Sequence, residues 1–285
     1  MGYFMKTAVV TDSTAYLTLE ERQRLNVHMI PLSVNIEGTI YDEEIDITAS
    51  EFYDRVRGAK EFPKTTQPPI GKFVELFETL AKDYDDIITI HLSSGISGTF
   101  QGAVQAGDMV DGVNVYAFDS EVAAYLQGLY VREAAMKAAE GATGAEIMAH
   151  LDTLRPTREE YIIVDDLQHL QRGGRLSAAA ALIGGLLQVK PVLTFQNKVI
   201  VPFEKIRTRK KALRRTEDQL ALAVEKHGAL CATVIHGNCE AEATEWMNRL
   251  AEEHPTVDFT LSYFGPVVGT HLGEGSIAIG WIKKV

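Results

Sequence analysis

Cysteine is scarce in this chain. The two residues, Cys231 and Cys239, share no metal-ligand spacing and no neighbouring cluster. That excludes a disulfide scaffold and fits reduced thiols in a cytoplasmic setting. Long apolar runs are missing too, and none approaches the roughly 20 residues that a membrane span requires. The opening Met1-Gly2-Tyr3-Phe4-Met5-Lys6 has no basic segment followed by an apolar one, so no secretory signal is expected. Lys6 stands where a myristoylation signal carries Ser or Thr, and Met5 reads as an alternative start. Positive charge is short: 28 Lys and Arg face 39 Asp and Glu, a formal net charge of -11. Such a surface repels a phosphate backbone, which disfavours nucleic acid as a partner. It also limits contact with an anionic membrane to transient encounters.

What is present suits a folded α/β protein. Hydrophobic residues make up 46%, enough for a sizeable core, and 285 residues approach the length at which a chain divides into two domains. Strand and helix signals alternate. Thr7-Ala8-Val9-Val10 reads as a buried strand ending in the polar turn Thr11-Asp12-Ser13. Residues 27–36 read as a second strand and 87–90 and 113–118 as two more. Helical spacing marks 50–57, 69–82, 98–109 and 121–140; in the second of these Phe73, Leu76, Phe77 and Leu80 share one face. Alternation of this kind predicts a mostly parallel sheet flanked by helices, with the loops after its strands at one edge.

A further helix, 144–154, ends at Arg155-Pro156-Thr157, where proline breaks it and marks a boundary. The expected domains are therefore 1–157 and 158–285. The second half opens on strand 161–164 and carries a helix of small residues from Ser177. Strands 189–195 and 199–206 follow, joined by Gln196-Asn197-Lys198 as an antiparallel pair. Helices 210–227 and 241–254 alternate with strands 230–236, 256–263 and 276–282. A mixed sheet is expected there.

Three polar loops, Thr11-Asp12-Ser13, Ser93 to Thr99 and Asp119-Ser120, are expected at the sheet edge where ligands bind. Ser97, in Ser93-Ser94-Gly95-Ile96-Ser97-Gly98-Thr99, is placed to cap the following helix, and its hydroxyl with the free N–H groups makes an anion site. Taken alone, Ser97 is better explained by plain capping, because capping serines are common. Lys64-Thr65-Thr66-Gln67-Pro68-Pro69 reads as a second helix start, with Thr65 or Thr66 as the cap. Gly265 to Gly273 reads as a glycine-rich loop holding His271, an imidazole able to donate to a carboxylate and to change charge near neutral pH. Arg172-Gly173-Gly174-Arg175 and Lys205 to Lys211 are basic clusters whose arginine forks suit carboxylate or phosphate oxygens; a solvated helix start accounts for part of the second. No Walker loop, dinucleotide fingerprint, nucleophile elbow or zinc-spaced histidine pair occurs. Asp12-Ser13 leaves open a phosphoryl-transfer enzyme or hydrolase, although Thr14 stands where the usual second aspartate belongs. A lipid-sensing regulatory module is the other alternative.

In order along the chain, the motifs resemble the DegV family. They are Thr11-Asp12-Ser13-Thr14, Thr65-Thr66-Gln67-Pro68, Ser93 to Gln101, Asp119-Ser120, Arg172-Gly173-Gly174-Arg175, Lys205-Ile206-Arg207-Thr208 and Gly265 to His271. The resemblance implies two α/β domains with one long-chain fatty acid at their junction. It implies that Thr65, Ser97 and Gly98, with His271 from the second domain, bind the carboxylate. It also implies that the protein is no enzyme, needs no metal or cofactor, and presents its fatty acid to an ATP-binding kinase subunit. Arg175, Arg207 and His271 would then support docking or phosphoryl transfer. Family members often carry Ser where Thr66 stands here, and the hydroxyl survives the exchange. The run Ala178 to Leu187 is expected either to line a narrow apolar tunnel or to pack closely in the core.

Overall fold

Strands β1 (Thr7–Asp12) and β6 (Asp86–His91) are buried along their whole length. Both are runs rich in apolar and β-branched residues, the pattern of a parallel strand covered on two faces. In the computed structural model, which describes residues 5–165, 167–176 and 190–285, they are the centre of a four-stranded parallel sheet. Its order is β2-β1-β6-β7, with β2 at Val27–Ile30 and β7 at Asn114–Asp119. The two-residue period of a strand divides its faces. Ala8 and Val10 cluster with Phe73 and Phe77 of α3 (Ile70–Leu80) and Ala103 of α4 (Thr99–Gly107). Val9 belongs to the opposite cluster, with α5 (Ala124–Ala139) and α6 (Gly144–Leu154).

The expected single strand 27–36 is in fact two strands in different sheets. Pro31, which offers no N–H to a ladder, separates β2 from β3 (Ser33–Ile36). Strand β3 pairs antiparallel with β4 (Thr39–Asp42) and with β5 (Lys64–Thr66) in a small three-stranded sheet. Helix α2 (Ala49–Val56) packs there through Phe52 and Tyr53, and a Thr48–Glu51 capping box starts it. Helix α1 (Leu19–Leu25), not expected from the sequence, has the same kind of start at Thr18 and Glu21.

The second half forms a six-stranded mixed sheet of order β10-β9-β8-β13-β11-β12. Its strands are β8 (Glu159–Ile163), β9 (Lys190–Gln196), β10 (Val199–Ile206), β11 (Leu230–His236), β12 (Val257–Tyr263) and β13 (Ile277–Lys283). Strands β9 and β10 pair antiparallel as expected, and β11 and β12 pair parallel. One face packs on α8 (Arg209–His227) and α9 (Glu240–Glu253) around Leu220, Trp246 and Trp281. The other face presents Ile162, Leu193, Ile235 and Ala278 to Leu126 and Leu129 of α5. Helix α5 is thus covered on nearly every side, which is why its sequence lacks a polar stripe. Each large apolar side chain buried there contributes about 1.5–3 kcal/mol. The small-residue helix expected from Ser177, with its tunnel-lining run, lies outside the described residues.

Candidate functional site

The loop after β6 reaches the second domain directly. Ser93 Oγ donates to the backbone carbonyl of Lys198, in the β9–β10 hairpin, at 2.6 Å. Gly95 packs so tightly there that a Cβ would lie 2.2 Å from the same oxygen. Asp119, at the end of β7, accepts from Ser94 N at 3.1 Å and from the Ser94 hydroxyl, and pairs with Lys198 Nζ at 3.0 Å. Burial opposes its charge, yet these donors hold its carboxyl below the usual range.

Ser97 does not cap α4 as the sequence suggested. Gly98 is the capping residue and has no side chain of its own to bond the helix start. Ser97 instead accepts from Thr99 N at 3.3 Å, and its Oγ lies 2.9 Å from Thr99 Oγ1, which turns the hydroxyl across the loop. A Cβ at Gly98 would sit 2.2 Å from Gln67 Oε1, so a side chain there would displace the Gln67 amide. Thr65 is likewise not at a helix start: it lies on β5, opposite Val34, and α3 begins after Pro69 with no side-chain cap. Three residues of strand are too short to show a period, and Pro68-Pro69 mimics a helix start.

Gly265 to Gly273 is not an open loop either. It forms the short helix α10 (Pro266–Leu272), with His271 in its last turn. His271 Nε2 lies 2.9 Å from Thr65 Oγ1, a bond that can run in either direction with the tautomer. Burial, then the nearby Arg175 charge and His169, push the imidazole down from 6.5 to about 4. His271 is therefore neutral at neutral pH, contrary to the charge change expected there. Its Nδ1 is buried without a partner among the described residues, against Gly173, where a Cβ would lie 2.1 Å away. Arg175 donates from Nε to Ile96 O at 3.1 Å and from Nη1 to Gly173 O at 2.7 Å.

These groups border one cavity of about 250 Å³ at the junction of the domains. Thr65, Thr66, Gln67, Ser97, Arg175 and His271 supply its polar side. Its body is apolar, formed by Leu32, Ile96, Ile162, Phe195, Ile200 and Phe264 among others. Ala124, on the α5 side of the same wall, holds φ at +57°, a left-handed conformation uncommon for a residue with a side chain. The structure thus brings Thr65, Ser97, Gly98, Arg175 and His271 together. Arg207 lies elsewhere, in a surface depression with Lys205, Lys211, Arg214 and Arg215. Asp12 and Ser13 are buried and do not border the cavity. Ser13 Oγ donates to Glu43 at 2.6 Å and accepts from Leu32 N, so the Asp12-Ser13 turn has no open face for phosphoryl transfer. Among the described residues no three His, Cys, Asp or Glu side chains form a metal site, and no helix is long and apolar enough to cross a membrane.

Glu160 in the cavity wall was not anticipated. The signal was available: in Glu159-Glu160-Tyr161-Ile162-Ile163 it shares the inward phase of Ile162. Burial pushes its carboxyl from 4.5 up to about 8, with Arg158 opposing. Burial does the same to Glu43, also to about 8, against bonds from Ser13, Val267 N and Tyr16. The folded protein therefore retains protons that the unfolded chain releases above about pH 4.5. Between those two values each group makes stability fall as pH rises, by up to about 1.4 kcal/mol per pH unit. His271, His28 and His236 act oppositely, because their depressed pKa values favour the folded state as pH rises; that gain is complete by about pH 6.5. Urea midpoints are thus expected to fall from about pH 6.5 to 8, with a shallower fall in Glu160→Gln. A flat wild-type profile over that window would contradict the assignment.

Comparison with known proteins bears on this geometry. The model of a family described as an uncharacterised protein family, DegV, matches residues 6–284. This chain belongs to the DegV family. It is 52% identical over 281 residues to Protein DegV of Bacillus subtilis, covering 98% of this chain and all of that one. A Listeria innocua DegV domain-containing protein is 48% identical, with 98% and 99% covered. Among solved structures, the fatty acid binding protein DegV of Bacillus subtilis superposes with a TM-score of 0.94 at 51% identity, covering 98% and 100% of the two chains. A DegV family protein from Thermus thermophilus, described by its fatty acid binding, gives 0.90 at 30% identity, with 98% and 100% covered. A stearic acid-binding protein from Eubacterium ventriosum gives 0.89 at 25% identity, with 98% of each chain covered. The two-domain α/β architecture of this DegV protein is that of these neighbours.

Proposed function

We propose that this DegV protein holds one long-chain fatty acid in the junction cavity and presents its carboxylate to a separate ATP-using kinase subunit, with no catalysis of its own. The observation that carries the reading is an apolar slot bordered at one side by neutral hydroxyl and imidazole groups. A buried methylene contributes about 0.8 kcal/mol, so a chain of about sixteen carbons gains on the order of 10 kcal/mol before ordering costs. The carboxylate would be costly to bury unless hydrogen-bonded. Thr65, Ser97, the backbone at Gly98 and His271 meet that need in this reading. The binding named for the relatives from Bacillus, Thermus and Eubacterium supports it. A cytoplasmic location fits the two free thiols, Cys231 and Cys239. We place the domain division after Thr157, where a single turn links α6 to β8.

Mass spectrometry of lipid extracted from protein purified from cells tests the first half of the proposal. One fatty acid per chain is expected; no co-purifying lipid and no uptake of added palmitate or oleate would defeat it. The kinase step is assigned to Arg175, beside the polar group, and to Arg207, on its exposed basic depression. Arg207→Ala is expected to leave palmitate affinity within about twofold and to slow acyl-phosphate formation about tenfold or more, the loss of one charge-assisted contact. Equal rates in a coupled assay with the kinase subunit would reject that role.

A further inference from the structure

We propose that Glu160 makes the end of the cavity away from the hydroxyl cluster polar, and so selects fatty acids that carry a hydroxyl group at or beyond mid-chain. The inference rests on the fatty-acid reading above and adds a ligand class to it. Its basis is a buried carboxyl with nothing to bind. Glu160 is 3% exposed, borders the cavity, and its Oε2 has no hydrogen-bond partner among the described residues. The cation near it, Arg158, is engaged by Ser120 O at 2.7 Å and Glu121 Oε2 at 3.3 Å. Opposite Glu160 in the ladder stands Gly280, so no side chain covers the carboxyl from that strand.

Topology sets how far Glu160 lies along the ladder from the end that carries Arg175 and His271. Ile163 at the end of β8 pairs with Ile277 at the start of β13. The chain leaves β8 there for α7 (Gln168–Arg172), which packs on α10, and it enters β13 there from α10 itself. That end of the ladder therefore adjoins Arg175 and His271. Glu160 lies three residues further along, roughly 10 Å at about 3.3 Å per residue. An extended chain covers about 3.3–3.6 Å in three bonds, so the carboxyl lies roughly eight or more bonds along a tail that starts at that end of the ladder. Its raised pKa, about 8, leaves it uncharged at neutral pH, with one O–H to donate and oxygens to accept. A plain hydrocarbon tail leaves both capacities unused in a dry site, which is costly; an alcohol on the tail satisfies them.

Oleate and ricinoleate differ only in one hydroxyl past mid-chain and serve as the probes. Titration of delipidated full-length protein at neutral pH is expected to show ricinoleate binding about five- to tenfold more tightly, the effect of one net hydrogen bond. Glu160→Leu is expected to abolish or reverse that preference and to bind oleate more tightly than wild type. Glu160→Gln, which keeps a donor and an acceptor, is expected to retain it. Wild type binding both lipids within about twofold, as when a trapped water serves Glu160, overturns the inference while leaving the fatty-acid reading intact. A ricinoleate preference that survives Glu160→Leu also overturns it. Folded protein that binds neither lipid overturns the fatty-acid reading, and this inference with it. Should Glu160→Leu fail to fold, the wild-type ratio decides.

Discussion

The double substitution Thr65→Ala with Ser97→Ala is expected to weaken long-chain fatty-acid binding about a hundredfold or more, with each single change costing about tenfold. A hydrogen bond to a charged group is worth roughly 1.5–3 kcal/mol, and two such bonds correspond to a factor of 10² or more. Water reaching the vacated space holds the loss near the lower end of that range. Neither hydroxyl holds the fold together. Among the described residues Thr65 Oγ1 meets only His271, and Ser97 Oγ bridges to Thr99 within its own loop. Thermal midpoints should therefore stay near wild type, so a loss of affinity reports on the head group. Thr65→Ser, which keeps the hydroxyl toward His271, should restore most of the binding that Thr65→Ala removes. Displacement of a fluorescent fatty acid measures all four proteins. Unchanged affinity in the double variant would remove the hydroxyl head-group site and leave His271 and Arg175 to carry it.

The contrast between Thr65 and Leu230–His236 shows what local sequence conveys. Strand β11 was legible to the residue because six apolar and β-branched positions, closed by His236, lie between a helix end and a polar turn. The strands expected at 7–10 and 87–90 were legible for the same reason, although they extend over Thr7–Asp12 and Asp86–His91, and so was the β9–β10 hairpin. Strand β5 was not, because its three residues are fixed by pairing with β3 on the far side of α2. Thr65, Ser97, Gly98, Arg175 and His271 border one cavity, yet the local roles expected of them differ from those the structure shows. Ser97 and Thr65 looked like caps because hydroxyls ahead of a helix usually are. His271 looked titratable because its burial and its Arg175 neighbour come from elements remote from α10. Arg207 and Arg175 looked alike as basic clusters, and only the third dimension places one in the cavity and the other on an outer surface. Glu160 was the reverse case: the strand phase already pointed it inward, and an acid in that phase was the readable anomaly.

Asp12→Ala is expected to cost about 3–5 kcal/mol of stability and to loosen the site as a consequence. The carboxyl is fully buried and serves five donors from four residues. Its Oδ1 accepts from Thr14 N and Thr14 Oγ1, and its Oδ2 meets His91 Nδ1 at 2.9 Å, Leu92 N at 3.1 Å and Gln127 Nε2 at 3.1 Å. Truncation leaves these buried groups without an acceptor, and one such loss costs about 1–3 kcal/mol. The losses are not additive, since Gln127 Nε2 can still reach Thr11 Oγ1 and Ile90 O, whereas His91 Nδ1 keeps no partner and only its Nε2 stays on Thr89. Asp12→Asn should cost less, because the amide oxygen keeps one side of the network and the amide nitrogen opposes donors on the other. Leu92 is the first residue of the segment that runs through Ser93 to Gly98, so freeing its N–H from Asp12 removes the anchor at one end of the hydroxyl loop. Fatty-acid affinity should then fall with stability in Asp12→Ala, whereas Thr65→Ala loses affinity alone. Urea unfolding followed beside lipid titration separates the two patterns. A catalytic aspartate would show the opposite signature, a stable protein that has lost turnover, and the five occupied acceptor positions argue against it. Unfolding of Asp12→Ala within about 1 kcal/mol of wild type would mean that the network relaxes without its centre, and that the loop is held by Ser93, Ser94 and Gly95 against the second domain instead.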